Sequence, residues 1–191
     1  MESASALFGR NGFAATGVKA VLAAASAPYG SLYHFFPGGK QELGVAALTH
    51  GGERYRAMLE AAYPPGADVI DATADSFVQA ADLLTDSDYA YTCPVATIAL
   101  EIASIDEPMR VAAAAAFESW LQVMEDRFTA AGMTAERARE VAVEIFCLME
   151  GSLLLARTTR SPEPLRTAGR SATNAVAAGL AASRSERTRR G

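Results

Sequence analysis

Apolar positions along this chain recur at intervals of three and four, with alanine filling much of the space between them. That spacing turns one side of a helix inward, and the β-branched runs that would favour strands are absent. The pattern predicts an all-α protein. Residues 3–12 form a first short helix with Leu7 and Phe8 inward and Gly12 as its stop. Thr16 caps a second at 17–25, where Val18, Val21, Leu22 and Ala25 share a face. Pro28 suits the first turn of a third, very short helix reaching about Phe35. Pro37 opens a fourth at 38–62, which Pro64-Pro65-Gly66 ends.

The longer elements follow. Asp68 starts a helix to about Leu84, "TDSDYAYT" is a polar linker, and Cys93 to Ala103 is helical again. Asp106 caps a long helix from Pro108 to Ala131, stopped by Gly132. Thr134 starts another, apolar nearly all round from Ile145 to Ala156, so it needs cover on more than one side. Pro162 and Pro164 break it, and a last helix runs from about Leu165 to Ala182. The tail 183–191, "SRSERTRRG", lacks apolar anchors and is expected to be disordered.

Composition narrows the class. The chain has 191 residues, half of them apolar and 20% charged, an ordinary globular balance. No apolar run spans a bilayer and no secretory leader pattern opens the chain, so a cytoplasmic protein without membrane contact is expected. The two cysteines, Cys93 and Cys147, read as reduced thiols. Charge is uneven. Residues 1–60 carry five Lys and Arg against four acids, residues 61–156 four against sixteen, and residues 157–191 eight against two. The overall acidity therefore belongs to the middle and leaves the first sixty residues open to an anionic partner.

One stretch of those sixty stands apart. "APYGSLYHFFPGGK", residues 27–40, packs four aromatics and a histidine between proline fences. The second and third helices, at about 17–36, have helix-turn-helix proportions, and in that motif the second helix presents its residues to base edges in the major groove. Leu32, Phe35 and Phe36 read as its anchor to a small core with Phe8, Val18, Val21 and Leu22. Tyr29, Ser31, Tyr33 and His34 then face outward, where hydroxyls and an imidazole bond phosphates and bases. Gly30 lets the backbone approach DNA closely, and Lys40 adds a cation at a helix start, with Lys19 a second on the preceding helix.

Residues 6–48, "ALFGRNGFAATGVKAVLAAASAPYGSLYHFFPGGKQELGVAAL", resemble the DNA-binding domain of the TetR (tetracycline-repressor) family of bacterial transcription regulators. "GSLYHFFPGGKQEL" and "YTCPVATIALEIA" are similar to the branch that includes repressors of multidrug-efflux genes. The resemblance implies a homodimeric, all-α repressor that releases a palindromic operator when a small apolar or aromatic effector binds. It implies a head at 1–48 and a ligand-binding and dimerisation domain at 49–182. Phosphate contacts would fall to Thr16, Tyr33 and Lys40, and base or groove contacts to Pro28, Tyr29, Gly30, Ser31 and His34. Two departures stand out: Ser26 where glycine is usual in the turn, and Tyr29 where lysine is common.

In the larger part, aromatics mixed with methionines can line an adaptable cavity: Met58, Phe77, Phe117, Trp120, Met124, Phe146 and Met149. Each is also an ordinary core residue, and it is the resemblance that favours a pocket. Glu101 and Glu150 are acids set among apolar residues. On the last helix Ala168, Ala172, Ala175 and Gly179 form a small-residue stripe beside Leu165 and Val176, which lets another helix approach. With the all-round apolar face of 145–156 it suggests a symmetric dimer in which two helices, at about 134–158 and 162–182, pair with two from a second subunit. An enzyme is disfavoured, because no nucleophile elbow, zinc spacing or phosphate loop is present and no cofactor or metal is implied. A helical small-molecule-binding or dimerisation module without DNA binding is the other alternative.

Overall fold

The protein is described for residues 1–190 by a computed structural model. Its elements are α1 (Glu2–Asn11), α2 (Val18–Ala24), α3 (Ser31–Phe35), α4 (Gly39–Ala62), α5 (Val69–Asp86), α6 (Pro94–Ile102), α7 (Glu107–Ala130), α8 (Ala135–Thr159) and α9 (Glu163–Arg190), with no strand among the described residues. The capping residues act as the sequence implies. The Asp68 carboxylate accepts from the Ile70 and Asp71 amides, Asp106 from Met109, and Thr134 from Arg137. Thr16 does not. The residue capping α2 is Gly17, without a side-chain bond.

The chain divides into two compact units. One holds Met1–Arg56 with Thr92–Ser119; the other holds Ala57–Tyr91 with the chain from Trp120 on. The expected boundary at residue 48 is therefore not where the units part, because α6 and the first half of α7 return to the N-terminal elements. In this first unit Phe8, Val21, Leu22, Leu32, Leu48, Ile98, Ile102 and Met109 are buried together. Gly9 admits Pro94 of α6 so closely that a Cβ there would lie 2.5 Å from the proline side chain. The Phe8 and Phe13 rings meet edge-on with centroids 5.1 Å apart.

In the second unit α9 packs against both α5 and α8. Gly169 sits under Phe77, and Gly179 under Met133 and Val141, where a Cβ would come within 2.8 and 3.1 Å of those side chains. Trp120, Phe128, Leu84 and Leu165 are fully enclosed. The last helix does not end near Ala182. It continues to Arg190, whereas Gly191 of the expected disordered tail lies outside the described residues. Polar anchors hold it: the buried Ser183 hydroxyl accepts from the Thr134 amide at 3.1 Å, and the Arg187 guanidinium donates to the Gly132 carbonyl. Neither anchor is apolar, so hydrophobic periodicity carries no trace of them.

Candidate nucleic-acid interface

Helix α3 has only five residues, so its own hydrogen bonds hold it weakly and its position depends on packing. Leu32, 3% exposed, is the peg. The approach is fixed by the turn before it, where the Ala27 amide reaches the Leu22 carbonyl at 2.9 Å and the Ser26 amide reaches Ala23 at 3.1 Å. These two bonds make a Schellman motif, whose C′ position is left-handed and favours glycine. Ser26 takes that position with φ 51°.

With Leu32 inward, the rest of the segment is turned out. Tyr29 is 57% exposed and Tyr33 59%, and Pro28, Gly30 and His34 are exposed as well, with Ser31 half-buried. Nothing lies within 4 Å of where a Gly30 Cβ would stand, so this backbone is bare. Lys19 on α2 is exposed. The surface thus combines phenols, an imidazole, an unencumbered backbone and a cation, the groups that contact phosphates and base edges.

Three residues depart from expectation. Phe35, read as core, is 68% exposed and lies edge-on to His34 with centroids 4.8 Å apart. The helix stops after it, and Phe36 beyond is half-buried. Thr16, expected at a phosphate, is buried, and its hydroxyl donates to the Gly12 carbonyl at 2.6 Å, closing the end of α1. Lys40 is half-buried: its ammonium donates to the Ala14 carbonyl at 3.3 Å and sits 4.5 Å from the centre of the Phe13 ring. It braces the α1–α2 loop whether or not it also meets a phosphate.

The expected pocket residues do not form one group. Phe117 belongs to the first unit and the other six to the second. Met58 is 41% exposed and so is not part of an enclosed lining. Phe77 borders an open groove of about 360 Å³ between α5 and α9, with Val78, Arg166 and Arg170. Trp120 and Met124 are buried, and the Trp120 ring lies 5.9 Å from that of half-buried Phe146, which precedes half-buried Met149 by less than one turn of α8.

The small-residue stripe of α9 faces inward. Leu165, Ala168, Ala172, Val176 and Gly179 are buried and Ala175 half-buried within the subunit, so they let α9 approach α5 and α8 of the same chain. They are not a surface for a second copy. Toward its C-terminal half α8 exposes Leu154, Leu155 and Cys147, beside a groove of about 460 Å³ bordered by Gly151, Pro164, Thr167 and Ser171. Of the two sequence signals for pairing, the apolar surround of 145–156 lies on this face, whereas the small-residue stripe is spent inside the subunit.

No described helix is long and apolar enough to cross a membrane. Residues 1–47 match the model of the bacterial regulatory proteins of the tetR family, and residues 69–171 match that of the LmrA/YxaF-like transcriptional regulator C-terminal domain. The chain is 36% identical over 183 residues to the uncharacterized HTH-type transcriptional regulator Rv0196 of Mycobacterium tuberculosis, covering 93% of this chain and 92% of that one. It is 31% identical to the regulator YxaF of Bacillus subtilis, covering 86% of each. Among solved structures, a TetR transcriptional regulator from Legionella pneumophila superposes with a TM-score of 0.79 at 22% identity, covering 91% of this chain and 92% of that one. A helix-turn-helix head matched at one end and a regulator-specific helical domain at the other identify this chain as a member of the TetR family of DNA-binding transcriptional regulators.

Proposed function

We propose that the protein represses transcription as a homodimer on a palindromic operator and leaves it when a small apolar or aromatic effector binds. The observation that carries the DNA reading is the exposed row Tyr29, Gly30, Tyr33 and His34, in and just before a short helix whose buried side chain is Leu32. Three polar-tipped rings within six residues, all exposed, suit a groove. Pro28, Ser31 and Phe35 share this surface, with Lys19 and the free side of Lys40 as its cations.

For the dimer, the exposed Leu154 and Leu155 on α8 form an apolar face of the kind that twofold interfaces cover. For the effector, the cluster of Trp120, Met124, Phe146 and Met149 combines rigid rings with adaptable thioethers. Ligand and DNA then oppose each other reciprocally, by about 1–3 kcal/mol. The relatives bear regulator names, and the reading places no catalytic role on any residue.

Selection of duplexes from a random pool by the full-length protein tests this reading. An enriched inverted repeat bound by two subunits supports it; failure to enrich any sequence at low salt overturns it.

A further inference from the structure

Glu101 lies in the last full turn of α6, yet its carboxylate is engaged with the backbone of the α1–α2 loop, 87 residues away. The Ala14 amide donates to Glu101 Oε2 at 2.8 Å, and the Ala14 carbonyl accepts from the Lys40 ammonium at 3.3 Å. One residue of the loop is thus held from both sides, by α6 and by α4. Gly12 makes room for this. It has φ +87°, and a Cβ on it would stand 2.2 Å from Glu101 Oε1. The start of α6 is seated on α1 as well, with Pro94 against Gly9 and the Thr92 hydroxyl donating to the Gly9 carbonyl at 3.1 Å.

The loop sets the direction in which α2 leaves α1, and α3 follows α2 through the Ser26 turn. None of this is needed to bury the core, because the Ala14 amide is at the surface and water can replace a lost carboxylate there. What water cannot supply is a fixed acceptor on a packed helix. We propose that Glu101 is a positioning residue for DNA reading, holding the α1–α2 loop so that Tyr29, Tyr33 and His34 are presented at one angle. This inference rests on the DNA reading of α3 given above.

The test uses three full-length variants, Glu101→Ala, Glu101→Asp and Glu101→Gln. It has two readouts: amide exchange by NMR, and affinity for the duplex that wild-type protein enriches from a random pool. The amide side chain of Gln keeps an acceptor at the same reach, whereas Asp keeps the charge and falls one methylene short. In the Ala and Asp variants the Ala14 amide should exchange roughly 10-fold faster, while the Gly12 amide, bonded to the Phe8 carbonyl, stays protected. Affinity should fall roughly 10-fold with an unchanged salt slope, because no phosphate contact is removed. Gln should restore both readouts to within about threefold, which general damage to the fold would not allow.

Unchanged Ala14 exchange in the Ala variant overturns the clamp. Faster exchange with unchanged affinity overturns its positioning role, and so does a Gln variant as weak as Ala. If wild-type protein enriches no DNA, the DNA reading fails and the positioning role falls with it. The exchange data then show separately whether the clamp exists.

Discussion

Ser26 holds a left-handed backbone in the turn on which the reading helix depends. A side chain there costs about 1 kcal/mol relative to glycine, more than the chain entropy that serine saves in the unfolded state. Ser26→Gly should therefore raise stability slightly, by up to about 0.5 kcal/mol in a denaturant titration; a loss of about 1 kcal/mol would mean the turn is not left-handed. Thr16→Val should cost about 1 kcal/mol or more, by leaving the end of α1 without its hydroxyl donor. DNA affinity and its salt dependence should stay as they are, a pairing that a phosphate-contacting hydroxyl would not give. Both positions were visible in the sequence as special residues, but only one was visible for the right reason. Glycine's absence at 26 is a local signal that a turn type explains. Whether the Thr16 hydroxyl meets water or the Gly12 carbonyl depends on how α1 ends, and no spacing rule contains that.

At the level of elements, helix periodicity and caps located all nine helices of the described residues, most within two or three positions, because Asp68, Asp106 and Thr134 act where the chain alone would place them. Which face of a helix meets which neighbour was less legible. The small-residue stripe of α9 announces close packing without naming the partner, and here the partners are α5 and α8 of the same subunit. Ala172→Glu should accordingly unfold the subunit, since it buries a charge at a fully enclosed site at a cost of several kcal/mol. Leu155→Glu should leave a folded monomer, because that side chain is exposed and lies on the face proposed to pair. Light scattering and circular dichroism of the two variants separate these outcomes. An obligate interface of this kind covers on the order of 2,000 Å².

The corner after α4 makes a further prediction. Tyr63 is buried, its ring edge-on to Phe128 at 6.0 Å and its hydroxyl donating to Thr73 at 3.1 Å. Burial pushes the phenol above its ordinary pKa of 10.0, and hydrogen bonding to Thr73 and Ser76 only partly offsets this. Its stabilising effect is full below pH 10.0 and is lost as pH rises through the higher folded value, because the unfolded phenol ionises first. Tyr63→Phe should cost about 1 kcal/mol near neutrality and make the alkaline fall in stability shallower. An equally steep fall in the variant would place the titrating group elsewhere.

For the molecule as a whole, an acidic middle and a nearly neutral first sixty residues describe a regulator that approaches DNA with few cations. Some 6–10 neutralised phosphates lose about 10³–10⁵ in affinity between about 50 and about 200 mM salt, and this head should sit at or below the lower end. Sequence preference must then come from base contacts, and Tyr29 is an exposed side chain outside the core. The decisive measurement is the affinity of wild-type protein and Tyr29→Ala for the enriched duplex and for versions of it changed one base pair at a time. The account predicts that Tyr29→Ala keeps the fold and loses about 1–3 kcal/mol of discrimination at one base pair in each half-site. Unaltered discrimination at every base pair, or loss of the fold, would contradict the assignment of residues 28–34 to DNA reading.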